Sequence, residues 1–223
     1  MTDHERAEHA ARLRGLLCLS CPDAPAGALE LTADAITRCA VRVPAGAVPE
    51  AADLGRPRQP YSADRLNLCC ADLRSANLTG ADLSHADAYR ADLSGADLTG
   101  AELSHANLTG ADLSHATFSG ADLTDANLSH ATLRHAKMTG AILRDAALTD
   151  TALRDALLCG ADLTGADLTG ADLTYADLTG ADLTRADLTD ADLTDAVVTR
   201  ADLTSAVLTG AALHDAANQC VVE

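Results

Sequence analysis

Sixteen acidic side chains recur in one reading frame, each just before an apolar residue, at multiples of five from Asp72 to Asp202. Two carboxylates can do acid–base work when their environments force their pKa values apart. A uniform array offers no such pair. The chain also shows no phosphate-gripping loop and no nucleophile–base spacing, so the array predicts electrostatic binding and no enzyme. The candidate partner-binding columns are Asp72, Asp82, Asp92, Asp112, Asp162, Asp167, Asp172, Asp177, Asp182, Asp187, Asp192 and Asp202. His85 and His105, like His115 and His135, lie twenty residues apart. Such pairs could bind metal or respond to pH, although solvated surface residues are the simpler reading. Cys18-x-x-Cys21 could open a zinc site, but no second Cys-x-x-Cys follows and Cys39, His4 and His9 would be needed as ligands. No metal and no cofactor are expected.

The elements that position these residues follow from the repeat. From Leu66 to Asp215 the chain runs through 30 consecutive pentapeptides without an insertion. The centre of each is Leu in 26 of 30, and the residue two before it is Ala in 28 of 30. A period of five is neither that of a helix nor that of a plain strand. A chain that turns a corner every five residues satisfies it, pointing one large and one small apolar residue inward each time. Four corners close a square coil of twenty residues, and coils stack at the usual strand spacing of about 4.8 Å. Thr, Ser and Gly suit the corners. The predicted fold is all-β, a quadrilateral β-helix stabilised cooperatively along its stack.

Residues 1–65 do not repeat. Asp3 to Leu17 predicts an amphipathic helix, and the segment is expected to cap the first coil, whose strand edges would otherwise promote aggregation. Residues 66–215 form the repeat domain, about 7.5 coils, and 216–223 a short tail. The chain has no Trp, one Phe and no apolar run long enough to span a membrane, and residues 1–19 lack the shape expected of a secretory signal. Seven Cys without a framework suit reduced thiols, so the expected location is cytoplasmic.

Net charge is −17, of which residues 66–215 carry −15. The natural partner is a protein that is basic or that normally holds something negative, and direct nucleic-acid binding is disfavoured by sign. In a twenty-residue coil, Asp162, Asp182 and Asp202 share one face and Asp172 and Asp192 the next, while neighbouring faces carry Asp167, Asp187 and Asp177. Between Asn127 and Asp162 the ladder stops, its sites taken by Thr132, Lys137, Ile142, Ala147, Ala152 and Leu157. This waist, residues 131–160, is either repeat drift or a contact surface built from Arg134, Ile142, Arg144, Arg154 and Leu157.

The phrase Ala-(Asp/Asn)-Leu-(Thr/Ser)-x resembles the repeat of the pentapeptide repeat protein family, over about two-thirds of the chain. The resemblance implies a right-handed quadrilateral β-helix. Some members of that family inhibit DNA gyrase or protect it from quinolones, and are understood as DNA mimics. The resemblance therefore implies a DNA-mimicking binder of a type II topoisomerase, DNA gyrase or topoisomerase IV, acting in antibiotic resistance. It also implies a homodimer through the C-terminal coils. The charge density fits that partner within a factor of two. The rod is about 36 Å long and carries one net charge per roughly 2.4 Å, against about 1.7 Å for duplex DNA. The competing reading is a protein–protein interaction scaffold with its specificity in the waist or in residues 1–65.

Overall fold

A computed structural model of the chain describes residues 66–216. The expected N-terminal helix and cap, the Cys18/Cys21 pair and the end of the tail lie outside the described residues. Within them, each pentad repeats one backbone path: an inward Ala, a bridging residue, an inward Leu and two turn residues. Every bridge is parallel and joins positions twenty apart, from Asn67↔Asp87 to Asp192↔Ala212. The coil is therefore four-sided, as the period predicts. Its faces are named here by their first bridging residue: face I begins at Asn67, face II at Asp72, face III at Asn77 and face IV at Asp82. Among the described residues there is no helix and no strand longer than a single bridging residue. The chain turns again before a second pairing can form.

Such short pairing leaves every backbone donor to be accounted for. The pentad Ala91–Gly95 shows how. Asp92 N–H donates back to the Ala71 carbonyl at 2.9 Å, while Leu93 N–H and Gly95 N–H donate forward to Asp112 and Ser114 at 2.7 and 2.8 Å. Ala96 N–H closes the corner onto the Leu93 carbonyl at 2.9 Å. The fifth donor, Ser94 N–H, meets no carbonyl; it donates to Asp92 Oδ1 at 3.1 Å. The bridging carboxylate thus satisfies the donor that the coil cannot.

This holds at every bridging Asp and Asn, fifteen of the former and four of the latter. Asn67, Asn77, Asn107 and Asn127 accept the same bond without a charge. Glu102, one methylene longer, makes no such bond to Ser104 N–H among the described residues. The turn after each Leu also puts its third residue at φ between 53° and 75°, in all 30 pentads. That region costs most side chains energy but is least hostile to Gly, Asp, Asn and His. The fifth letter accordingly wanders among Gly, Asp, His, Arg, Ser, Cys and Tyr, and is never β-branched.

Inside, Leu stacks on Leu and Ala on Ala, with most of them wholly buried. Phe118 and Met138 occupy consecutive levels of one column, behind face III, so the two odd shapes meet each other. Thr151 takes an Ala slot and is fully buried. Its hydroxyl donates to the Leu128 carbonyl at 2.9 Å, which makes the intrusion tolerable.

The accounting predicts an asymmetry at Asp122, whose Oδ1 accepts both the N–H and the hydroxyl of Thr124. Asp122→Asn keeps the acceptor and leaves stability within about 0.5 kcal/mol, whereas Asp122→Ala costs about 0.5–1.5 kcal/mol. Chemical denaturation of the two variants checks this, and equal losses would show that the carboxylate does not serve the backbone.

Candidate partner-binding surface

Since each bridging residue faces outward and stacks on its counterpart one coil away, the acid ladders are fixed by register. Face IV carries Asp82, Glu102, Asp122, Ile142, Asp162, Asp182 and Asp202, six acids in seven levels. Face II carries Asp72, Asp92, Asp112, Asp172 and Asp192, interrupted by Thr132 and Ala152 and ending at Ala212. Face I holds Asp87, Asp167 and Asp187, and face III only Asp97 and Asp177. The expectation that Asp172 and Asp192 lie on the face next to Asp162 is corrected. Ten residues are half a coil, so these two ladders are on opposite faces, with Asp167 and Asp187 between them on one side and Asp177 on the other.

The edges differ as sharply. Between faces III and IV the corner is Gly at six successive levels, Gly80 through Gly180, before Arg200. A Cβ added at any of the six would meet nothing within 4 Å, so crowding does not explain them. They leave face IV bordered by a ridge without side chains. Elsewhere glycines have a neighbour: at Gly165, Gly170 and Gly210 the carboxylates of Asp145, Asp150 and Asp190 occupy the space a Cβ would need. This asymmetry is present in the sequence and becomes visible once the fifth position is written out in steps of twenty.

Hydrogen bonding lowers the pKa of six of these carboxylates. Thr99 holds Asp97 below the usual carboxylate range, and Thr179 does the same for Asp177, each against some burial. At Asp162 and Asp167 burial pushes upward and is outweighed, by Thr164 and Arg144 at the first and by Thr169 and Thr149 at the second. Thr194 and Thr204 lower Asp192 and Asp202.

At the waist the structure brings some predicted residues together and separates others. Ile142, 36% exposed on face IV, and Leu157, 42% exposed on face III, stand on either side of the bare ridge at Gly140 and Gly160. Arg134 and Arg154 share face II, as expected from their spacing. Arg154 lies over the Tyr175 ring at 4.8 Å and beside Asp155 at 3.5 Å. Arg144 is on the opposite face IV, where its guanidinium donates to Asp162. The waist is therefore two surfaces: an apolar pair astride the glycine ridge, with Arg144 beside Ile142 on face IV, and an arginine pair on face II, next to the face of Leu157 and opposite that of Ile142. Asp145, Asp150 and Asp155 sit at corners with positive φ.

Residues 67–105, 106–145, 146–185 and 186–217 match the family model for pentapeptide repeats, in eight copies. Among solved structures the chain is similar to HetL, a pentapeptide repeat protein involved in heterocyst differentiation regulation from the cyanobacterium Nostoc sp. strain PCC 7120, at 41% identity over 67% of this chain and 74% of that one, TM-score 0.35. It is similar to Rfr23 from the cyanobacterium Cyanothece 51142 at 39% identity, TM-score 0.40, over 41% of this chain and 63% of that one. It also resembles QnrB1, a plasmid-mediated fluoroquinolone resistance protein, at 23% identity, TM-score 0.39, covering 66% of this chain and 89% of that one. No curated protein matches.

Acid should loosen the coil. A carboxylate whose folded pKa lies below its unfolded value contributes stability that is present above the unfolded value, 3.8 here, and is lost as pH falls through the folded one. Denaturation midpoints are expected to hold above about pH 5 and to fall steadily below about pH 4. A variant with Asn at Asp97, Asp162, Asp167, Asp177, Asp192 and Asp202 should show a shallower fall, because Asn keeps the turn bond and cannot be protonated. A fall of unchanged steepness would place the acid sensitivity elsewhere.

Proposed function

Because the chain belongs to the pentapeptide repeat family and builds that family's right-handed β-helix solenoid, we propose that it is a non-enzymatic acidic binding protein. Its partner, on this reading, is a type II topoisomerase, DNA gyrase or topoisomerase IV, which it inhibits or shields from topoisomerase poisons by occupying the site for DNA. Family membership does not choose this partner, since the family includes a regulator of heterocyst differentiation as well as a fluoroquinolone resistance protein. The observation that carries the reading is face IV. Six carboxylates stand in register over seven levels about 4.8 Å apart, broken only at Ile142, beside a ridge with no side chains to hold a partner's basic surface away. Duplex DNA presents a line of regularly spaced charge of the same sign, about one per 3.4 Å along each strand against one per roughly 5.6 Å on face IV, where Arg144 also pairs with Asp162. Such a partner also implies a cytoplasmic location. A two-fold pairing of C-terminal coils would lengthen the rod, and Val207 and Leu213, 43% and 46% exposed near that end, are available for it.

A second reading has its own support. Ile142 and Leu157 are exposed apolar residues where the family phrase puts an acid or Asn, and they favour a scaffold that binds a partner at the waist.

Supercoiling by DNA gyrase, measured at rising protein concentration with and without a quinolone, tests both. The wild-type chain is expected to inhibit supercoiling or to relieve poisoned cleavage. Changing Asp82, Asp122, Asp162, Asp182 and Asp202 to Asn should weaken that effect at least about tenfold, as loss of several charge-assisted contacts would. The same number of changes on face II, at Asp72, Asp92, Asp112, Asp172 and Asp192, should weaken it less. Asn preserves the turn bond, so the fold is not at stake in either set. Equal losses from the two sets would reduce the effect to net charge. No effect at a large molar excess over gyrase would sink the topoisomerase reading and favour the waist, where Ile142→Asn and Leu157→Asn then become the informative changes.

A further inference from the structure

Two corner columns repeat one arrangement. On the edge between faces IV and I, the rings of His85 and His105 stack with centroids 4.8 Å apart and planes within 5°. One coil further, Asp125 Oδ2 stands 3.7 Å from His105 Nδ1. On the edge between faces II and III, His115 and His135 stack at 4.9 Å and 14°. There Asp155 Oδ2 stands 3.9 Å from His135 Nδ1. The edges are diagonal across the square, so these are two separate copies of His–His–Asp at intervals of twenty residues. In both, the second histidine turns Nδ1 towards a carboxylate. The proposed topoisomerase contact uses neither column.

We propose that each column is a binding site for a divalent transition-metal ion of the zinc, copper or nickel kind. The two Nε2 atoms of the stacked imidazoles are the ligands, and the following Asp is the group behind the second of them. A metal-bound histidine characteristically gives its other ring N–H to a carboxylate, which fixes the tautomer and strengthens the ligand. Asp125 and Asp155 stand on the Nδ1 side, within about an ångström of hydrogen-bond reach, the second also 3.5 Å from Arg154. Two ligands at zinc's usual 2.0–2.1 Å lie about 3.3 Å apart on a tetrahedral ion. Near-parallel rings point their Nε2 lone pairs side by side, so each imidazole must rotate out of the stack for the two to converge on one ion. The side chains are about half exposed, 51% at His105 and 52% at His135, which leaves room on the solvent side for that rotation at the cost of the stacking contact. Among the described residues no three metal-binding side chains converge on one point, so each ion takes two protein ligands and completes its shell with water. Imidazole suits zinc, copper and nickel and is a poor choice for magnesium or calcium. The acidic surface around both columns raises the local concentration of any cation. Binding would tie one coil to the next at its corner.

His130 supplies a control within the same molecule. It faces Asp150 Oδ2 at 3.6 Å, but its neighbour in the preceding coil is Gly110, so it has the carboxylate without the second imidazole. The test is a titration of the full chain with zinc chloride, reading the histidine ring nitrogens residue by residue by NMR, so that zinc taken up by cysteines is not counted. The expected result is a saturable shift of His85, His105, His115 and His135 at zinc concentrations at least tenfold below those that move His130 and His214. His105→Asn, a residue that the corner's positive φ accepts, should abolish the response of His85 and leave His115 and His135 responding, which also reports that the fold persists. Asp125→Asn should weaken zinc at its own column by about 10–100-fold. A response shared equally by His130 and His214, no response below millimolar zinc, or an unchanged affinity in Asp125→Asn would each overturn the proposal.

Discussion

One amide per pentad has nowhere in the backbone to go. Leu, the corner residue, Ala and the bridging residue all find carbonyls, three of them in neighbouring coils, but the N–H that follows Leu does not. A side-chain oxygen two residues earlier is the local remedy, and Asp and Asn are the residues short enough to deliver it. The acidity of this protein therefore begins as backbone chemistry. Charge is a by-product of choosing Asp over Asn, and the four Asn sites show that the choice is not forced. What selection can adjust without disturbing the coil is which of the two stands at each level. That freedom is what makes face IV so different from face III on a scaffold whose backbone treats them alike.

Much of the architecture was legible in the residues. Inward Leu and Ala, the twenty-residue coil, the outward positions of Ile142, Leu157 and Val207, and the stacking of the histidine pairs all follow from one period and the strand spacing. Two things were not. The bond from Asp or Asn to the next turn depends on how the backbone passes a donor over a side chain, and spacing alone does not contain that geometry. The distribution of charge among faces requires each position to be followed modulo twenty. Without that, Asp172 was expected beside Asp162 when half a coil places it opposite. The glycine ridge escaped for the same reason: eleven glycines look like ordinary corner residues until six of them fall on one edge.

The waist shows what the scaffold tolerates when the remedy is withdrawn. Six successive bridging sites lack Asp and Asn, yet the bridges run through them unbroken, from Asp112↔Thr132 to Leu157↔Asp177. The N–H groups left over lie in turns that are exposed or half-buried, where water can serve them. The interior meanwhile stays closed, Leu133 through Leu158 being at most 1% exposed. Surface identity and core integrity are thus separable in this fold, and a contact patch can be written onto one level without unpicking the levels above and below.

The square cross-section gives the gene an arithmetic. Duplicating or deleting one pentapeptide keeps every inward residue inward, and so costs the core little. It also turns everything downstream by a quarter revolution, so that a ladder running up one side continues on the adjacent side. Only changes by whole coils lengthen a face while keeping its identity. A straight ladder such as that of face IV is in this sense a record of insertions and deletions accepted in steps of twenty residues or compensated soon after. Its single break, at Ile142, is a substitution and not a slip of frame, since Asp162, Asp182 and Asp202 resume on the same side.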